Sequence, residues 1–172
     1  MDDGPKGPPK TGDLKSPVLW MAHAQALTEA AEVVRRKEPT FAHMPLILRE
    51  MCDGQYCALG LMPVGYSLEV ALKAMLPLKK GVDEYTAAER ALRHHRLARL
   101  ADFISDLSAK DIAILNCLTE FVIKAGRYPD PGMGRENDLE RIFELAEGHE
   151  IAARGIFGLA NRVMSQAQTV VG

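Results

Sequence analysis

The apolar residues of this chain recur at every third or fourth position in one block after another, and no stretch alternates apolar with polar over a useful length. That period belongs to helices, so the pattern predicts an all-α protein. The strongest block is residues 65–76. Leu68, Ala71, Leu72, Met75 and Leu76 share one face there, and Val70 and Ala74 widen it. A helix apolar over so much of its circumference is expected at the centre of a bundle, covered on most sides. Two charges interrupt it. Glu69 and Lys73 stand four residues apart, so they share a face and pair along the helix.

The other elements are read in chain order. Ser16 and Pro17 read as an N-cap and a first helical residue. The helix they open runs to about Lys37, with a stripe of Leu19, Trp20, His23, Ala26, Leu27, Ala30, Val33 and Val34. His23 is expected as a hydrogen-bonded core or interface residue. After the break at Pro39, Met44 to Met51 reads as a short helix and Asp53-Gly54 as a turn. Pro63 and Gly65 are expected to divide the apolar residues 55–76 into two pieces with a bend, and the central helix to end near Leu76-Pro77. Thr86 and Glu89 have the spacing of a capping box. The helix they predict carries Arg90, Arg93, His94, His95, Arg96 and Arg99 through its middle and continues to Ile104. Ser108 and Asp111 form a second capping box, and Ile112, Leu115, Leu118, Phe121, Val122 and Ala125 form the face of the next helix, with Gly126 as its stop. Asn137 caps a long last helix to about Ser165, with His149 inside its apolar stripe. The expectation is an up-and-down helical bundle of about five main helices. Residues 16–167 form one domain, preceded by a disordered tail at 1–15 in which Gly, Pro, Lys and Asp dominate.

Composition narrows the functional classes. The chain has 172 residues, 47% hydrophobic and 26% charged, which is enough for one sizeable core. The net charge of −2 provides no global basic field for nucleic acid, so any such contact has to be local. The three cysteines, Cys52, Cys57 and Cys117, have no disulfide-framework spacing and read as reduced thiols. Cys52 and Cys57 with His43 fall short of the four ligands of a closed zinc site. No metal and no cofactor are therefore expected. No apolar run approaches the length of a membrane helix, and the N-terminus lacks a secretory apolar region. The expectation is a cytoplasmic protein with no membrane contact.

The candidate chemistry lies in the most basic stretch, Arg90 to Arg99. If His94 and His95 sit on a helix they are about 100° apart, so at most one faces inward. An inward histidine reaches Glu69 or Lys73 and closes a buried polar network, which is a structural role. Arg127, at a helix end, either satisfies free carbonyls or meets a ligand, and Tyr128 packs with its hydroxyl at the surface.

Three separated motifs carry a family likeness. They are Gly65-Tyr66-Ser67-Leu68-Glu69-Val70-Ala71-Leu72-Lys73, then His94-His95-Arg96-Leu97-Ala98-Arg99-Leu100, then Ala125-Gly126-Arg127-Tyr128-Pro129. In this order they resemble the bacterial HEPN-type helical domains over residues 55–164. The resemblance implies a helical bundle that often dimerises, and relatives that bind or cleave RNA in toxin–antitoxin, phage-defence or stress systems, beside others that are non-catalytic binding modules. Catalytic relatives place an Arg and a His with four to six residues between them on a late helix, where both subunits meet RNA phosphate without a metal. Here seven residues separate Arg141 from His149, and Glu144 and Glu147 lie between them. Arg90 and His95 have four residues between them, but on an earlier helix.

The resulting expectation is a non-catalytic, homodimeric binding or regulatory module for RNA, a nucleotide or a protein partner. Its contact residues would be Glu69, Lys73, Arg93, His94, Arg96, Arg127 and Tyr128. The alternative is a metal-independent endoribonuclease that uses His95, His149 and Arg90.

Overall fold

The computed structural model of the chain describes residues 16–37, 41–92, 94–125, 142 and 144–171, and among them the regular structure is entirely helical. In order these are α1 (Pro17–Arg36), α2 (Leu46–Lys80), α3 (Val82–Leu92), α4 (Leu97–Leu100), α5 (Ala109–Glu120) and α6 (Ala153–Val171). A π-helical turn, Phe121–Ala125, prolongs α5. The predicted all-α bundle is what the structure has. The proposed tail at 1–15 lies outside the described residues.

The spine is α2, a helix of 35 residues. The expected short helix, turn and bend before it do not form: Pro63 and Pro77 both lie inside one uninterrupted element. A proline inside a helix costs about 3 kcal/mol, because it removes an N–H and crowds the carbonyl four residues back. Burial outweighs this. Val64, Leu68, Ala71 and Leu72 have no exposed surface, and each large aliphatic side chain so buried contributes about 1.5–3 kcal/mol. At the far end Gly81 takes a φ of 87°, and its N–H donates to the Pro77 carbonyl at 2.9 Å. This is the left-handed conformation glycine adopts at little cost, and it ends the helix.

Around α2 the core closes with Leu97 and Leu100 of α4, Ile114, Leu115 and Leu118 of α5, and Leu159, Ala160 and Val163 of α6. The stretch Leu59–Lys79 is long and apolar enough to cross a membrane by length and composition, contrary to the expectation that no run is. With Leu68, Leu72 and Met75 buried by these neighbours, it is the bundle's core helix.

The face by which α1 joins the bundle differs from the expected stripe. Its buried residues are Met21, Ala24, Thr28 and Ala31, whereas Val18, Leu19 and Val33 are exposed, as is His23. The reason is a close approach to α2. The Thr28 and Ser67 hydroxyls share a hydrogen bond of 2.5 Å, and both lie within reach of the Ala24 carbonyl, at 3.1 and 2.9 Å. Small side chains permit that distance, and the large ones turn outward. The contact also runs antiparallel: six residues after Thr28, Val34 meets Tyr56 of α2.

The capping box at α5 forms as expected. Ser108 Oγ accepts the Asp111 N–H at 3.1 Å, and Asp111 Oδ2 accepts the Ser108 N–H at 3.0 Å. Asp111 also pairs with Arg162, which ties α5 to α6. Burial alone would raise its carboxyl pKa; the Ser108 hydrogen bonds and the Arg162 charge together hold it below the ordinary value. The last helix is not continuous. Residues 144–148 form a separate helical turn, and Glu150 has a φ of 48°. The Ile151 N–H closes back on Ala146 O at 2.8 Å and Lys110 Nζ donates to Glu150 O at 2.9 Å, so the break is held from both sides. After it α6 runs on to Val171, past the expected end.

Gly65 marks the tightest crossing. A Cβ built there would collide with Val122 Cγ2 and lie 3.3 Å from the Leu118 carbonyl oxygen. Gly158 of α6 has open space around the same position. Gly65→Ala should therefore destabilise the fold by about 1–3 kcal/mol. Gly158→Ala should raise stability by up to about 1 kcal/mol through helix propensity. Urea denaturation of the two variants checks this, and equal shifts in the same direction would contradict the packing assigned to Gly65.

Candidate functional site

The site begins with a charge in the core. Glu69 is one turn of α2 from Leu72, and its side chain is only 8% exposed. An unpaired carboxylate in such a place is costly, so it recruits cations. Lys73, one turn along, places Nζ 2.7 Å from Oε1. The other oxygen, Oε2, is 2.8 Å from His95 Nδ1. The pair along α2 and the inward histidine are both as expected from the sequence.

The route by which His95 arrives is not. The expected helix from Thr86 to Ile104 does not exist. Instead, α3 starts at Val82, before Thr86, and ends at Leu92; α4 starts only at Leu97. His94, His95 and Arg96 lie in the non-helical link between them. Leaving the helix frees His95 to turn toward Glu69.

Two further bonds fix the link. The Arg96 N–H donates to His94 Nδ1 at 3.2 Å. The Leu97 N–H donates to Thr119 Oγ1 of α5 at 3.0 Å, while Thr119 donates to the Leu115 carbonyl at 2.8 Å. Thr119 is thus a positioning residue that sequence reasoning missed. A polar residue within the apolar face of α5 was the available signal. Ser67, which fixes α2 against α1, was missed in the same way.

The link is electropositive. The His94 pKa is lowered, first by partial burial and then by the charges of Arg99, Lys73 and Arg96, which outweigh the opposing pull of Glu69. Lys73 is spent on Glu69. Arg96 and Arg99 are exposed and have no carboxylate partner among the described residues. The His95 side chain is 48% exposed, and its Nε2 has no hydrogen-bond partner among them.

The remaining candidates stand apart. Arg90 is exposed on α3 and makes no hydrogen bond or ion pair with Glu69 or His95. His149 lies in the turn before α6, where its N–H donates to Leu145 O at 3.2 Å; it does not join the cluster. Arg93, Arg127 and Tyr128 lie outside the described residues. Among the thiols, buried Cys117 has its pKa raised by burial and by Glu120, which opposes the thiolate a nucleophile needs. Comparison with protein-family models, with curated proteins and with solved structures finds no match for this chain.

Because Glu69 is nearly inaccessible and His95 half exposed, the two sides of their bond differ in cost. Glu69→Gln should destabilise the protein by about 1–3 kcal/mol, since it leaves Lys73 without its counter-charge. His95→Ala should cost less, because water replaces the imidazole. Chemical denaturation of both variants tests this ordering, and a larger loss for His95→Ala would contradict it.

Proposed function

We propose that this protein is a non-catalytic, HEPN-like helical-bundle module, cytoplasmic and homodimeric, that binds an RNA or nucleotide phosphate at the corner formed by His94, His95, Arg96 and Arg99. A regulatory role in a stress or defence setting, with a protein partner, belongs to the same reading. The observation that carries it is the pair of exposed guanidinium groups, Arg96 and Arg99, with no acidic partner among the described residues. A guanidinium fork matches a phosphate in geometry and charge. The chain's net charge is −2, so this corner is a local exception to an acidic whole. The non-catalytic part rests on Arg90 and His149 making no hydrogen bond or ion pair with His95 among the described residues, because general acid–base cleavage needs its groups within reach of one phosphate. Exposed Val18, Leu19 and Val33 on α1, with Ile47 and Met51 on α2, supply apolar surface of the kind a dimer covers.

One observation favours the second reading, a metal-independent endoribonuclease. Glu69 holds His95 by Nδ1 and leaves Nε2 at the surface. A carboxylate so placed orients an imidazole for proton transfer, and Nε2 would take the proton of a ribose 2′-hydroxyl while Arg96 meets the phosphate charge.

A single titration separates the two. Fluorescently labelled single-stranded RNA is mixed with the protein in EDTA, and both anisotropy and chain length are followed. The binding reading predicts intact RNA and an affinity that falls with salt. Arg96→Ala/Arg99→Ala should weaken binding about tenfold or more and reduce the salt slope by roughly 1.4, about 0.7 for each arginine on a single strand. Absence of binding, or binding indifferent to that double substitution, would sink it. Cleavage that survives EDTA and disappears in His95→Ala would establish the nuclease instead. Light scattering on the same preparation should give the mass of two chains, and the mass of one would remove the dimer.

A further inference from the structure

The other end of the α1–α2 hairpin holds a cavity of about 510 Å³. Three parts of the bundle wall it. Val34 comes from the last turns of α1, Gly60 and Leu61 from the first half of α2, and Ile156 and Phe157 from α6. The space is a cleft open to solvent, and its size falls within the roughly 300–1,000 Å³ of small-molecule sites.

The cavity is lined in part by Gly60, where an added Cβ would make one ordinary contact, with Val34 Cγ1 at 3.4 Å. Its walls are fixed in advance. The Tyr56 hydroxyl makes a shared bond to the last carbonyls of α1, Val34 O at 2.7 Å and Lys37 O at 2.9 Å. Arg35 lies 5.4 Å from the centre of the Phe157 ring, which holds α1 against α6 across the cavity.

The lining decides the ligand class. Arg35 pairs with Glu32, with Nη2 at 2.9 Å from Oε2, and Arg36 shares the same oxygen at 3.4 Å. Lys37 and Asp53 add one charge of each sign. The rest of the lining is mainly apolar, with Val34, Leu61, Ile151, Ile156 and Phe157. Hydrocarbon gains dispersion contacts with these side chains.

We propose that this cavity is a binding site for a mainly hydrocarbon small molecule. The inference does not depend on the RNA reading, because no residue of the basic corner lines the cavity.

The test uses 1-aminoanthracene, a neutral three-ring fluorophore, titrated into the full-length protein. Saturable, one-to-one binding with a blue-shifted emission is expected. Ala153 is exposed and lines the mouth, so Ala153→Trp should obstruct entry and weaken binding about tenfold or more without altering the helical circular dichroism. Ala152→Trp, on an exposed neighbour outside the lining, should leave binding as it is. In the wild-type protein, nuclear Overhauser contacts should connect the fluorophore to the Phe157 ring. A titration that never saturates would overturn the proposal, as would binding unchanged by Ala153→Trp. If that variant does not fold, absence of contacts to Phe157 in the wild type overturns it equally.

Discussion

A carboxylate in the middle of a buried helix cannot stand alone, and much of this structure depends on how Glu69 is neutralised. It lies between Leu68 and Val70 on the longest helix, among residues with almost no exposed surface. Water cannot solvate it there, so protein groups must. Lys73 supplies one cation from the same helix, and His95 supplies a hydrogen bond from another segment. For His95 to do so, the chain must leave the helix after Leu92 and re-enter one at Leu97. The break that looks like an interruption of the fold is a consequence of serving this one charge. Thr119 then receives the first free N–H of α4, so the link is tied to the core at both ends.

The corner proposed to bind phosphate adjoins the same carboxylate. With His95 held to Glu69, Arg96 and Arg99 beside it stand exposed to solvent. The apolar cavity arises from a different requirement, the close antiparallel contact of α1 and α2. Small residues bring the helices together around Ser67, and Gly60 leaves space where α1 ends. Gly60 and Glu69 are about 14 Å apart along the axis of α2. Two chemically unlike surfaces therefore share one rigid rod.

Much of this was legible in the residues. The period of the apolar positions identifies an all-helical chain, the Ser108–Asp111 box marks the start of α5, and the spacing of Glu69 and Lys73 gives their pair. Even the reach of a histidine to Glu69 is implied by the cost of burying a charge. What periodicity does not report is tertiary context. It reads Pro63 as a break, because the local cost is visible and the burial of Val64, Leu68 and Leu72 is not. It assigns α1 a face that includes Leu19 and Val33, whereas the face buried against α2 is that of Met21, Ala24, Thr28 and Ala31. It continues the helix through His94 and His95, because attraction to a residue far away in sequence appears only when both segments are placed. Ser67 and Thr119 escaped notice for that reason too: their partners lie on other helices.

The most direct measurement is amide hydrogen exchange in Glu69→Gln compared with the wild-type protein. If the buried carboxylate organises the link between α3 and α4, the Arg96 and Leu97 amides should exchange about tenfold faster or more in the variant, while amides near Leu159 in α6 keep their protection. Unchanged protection at Arg96 and Leu97 would contradict the account, because the link would then hold its shape without the charge said to fix it.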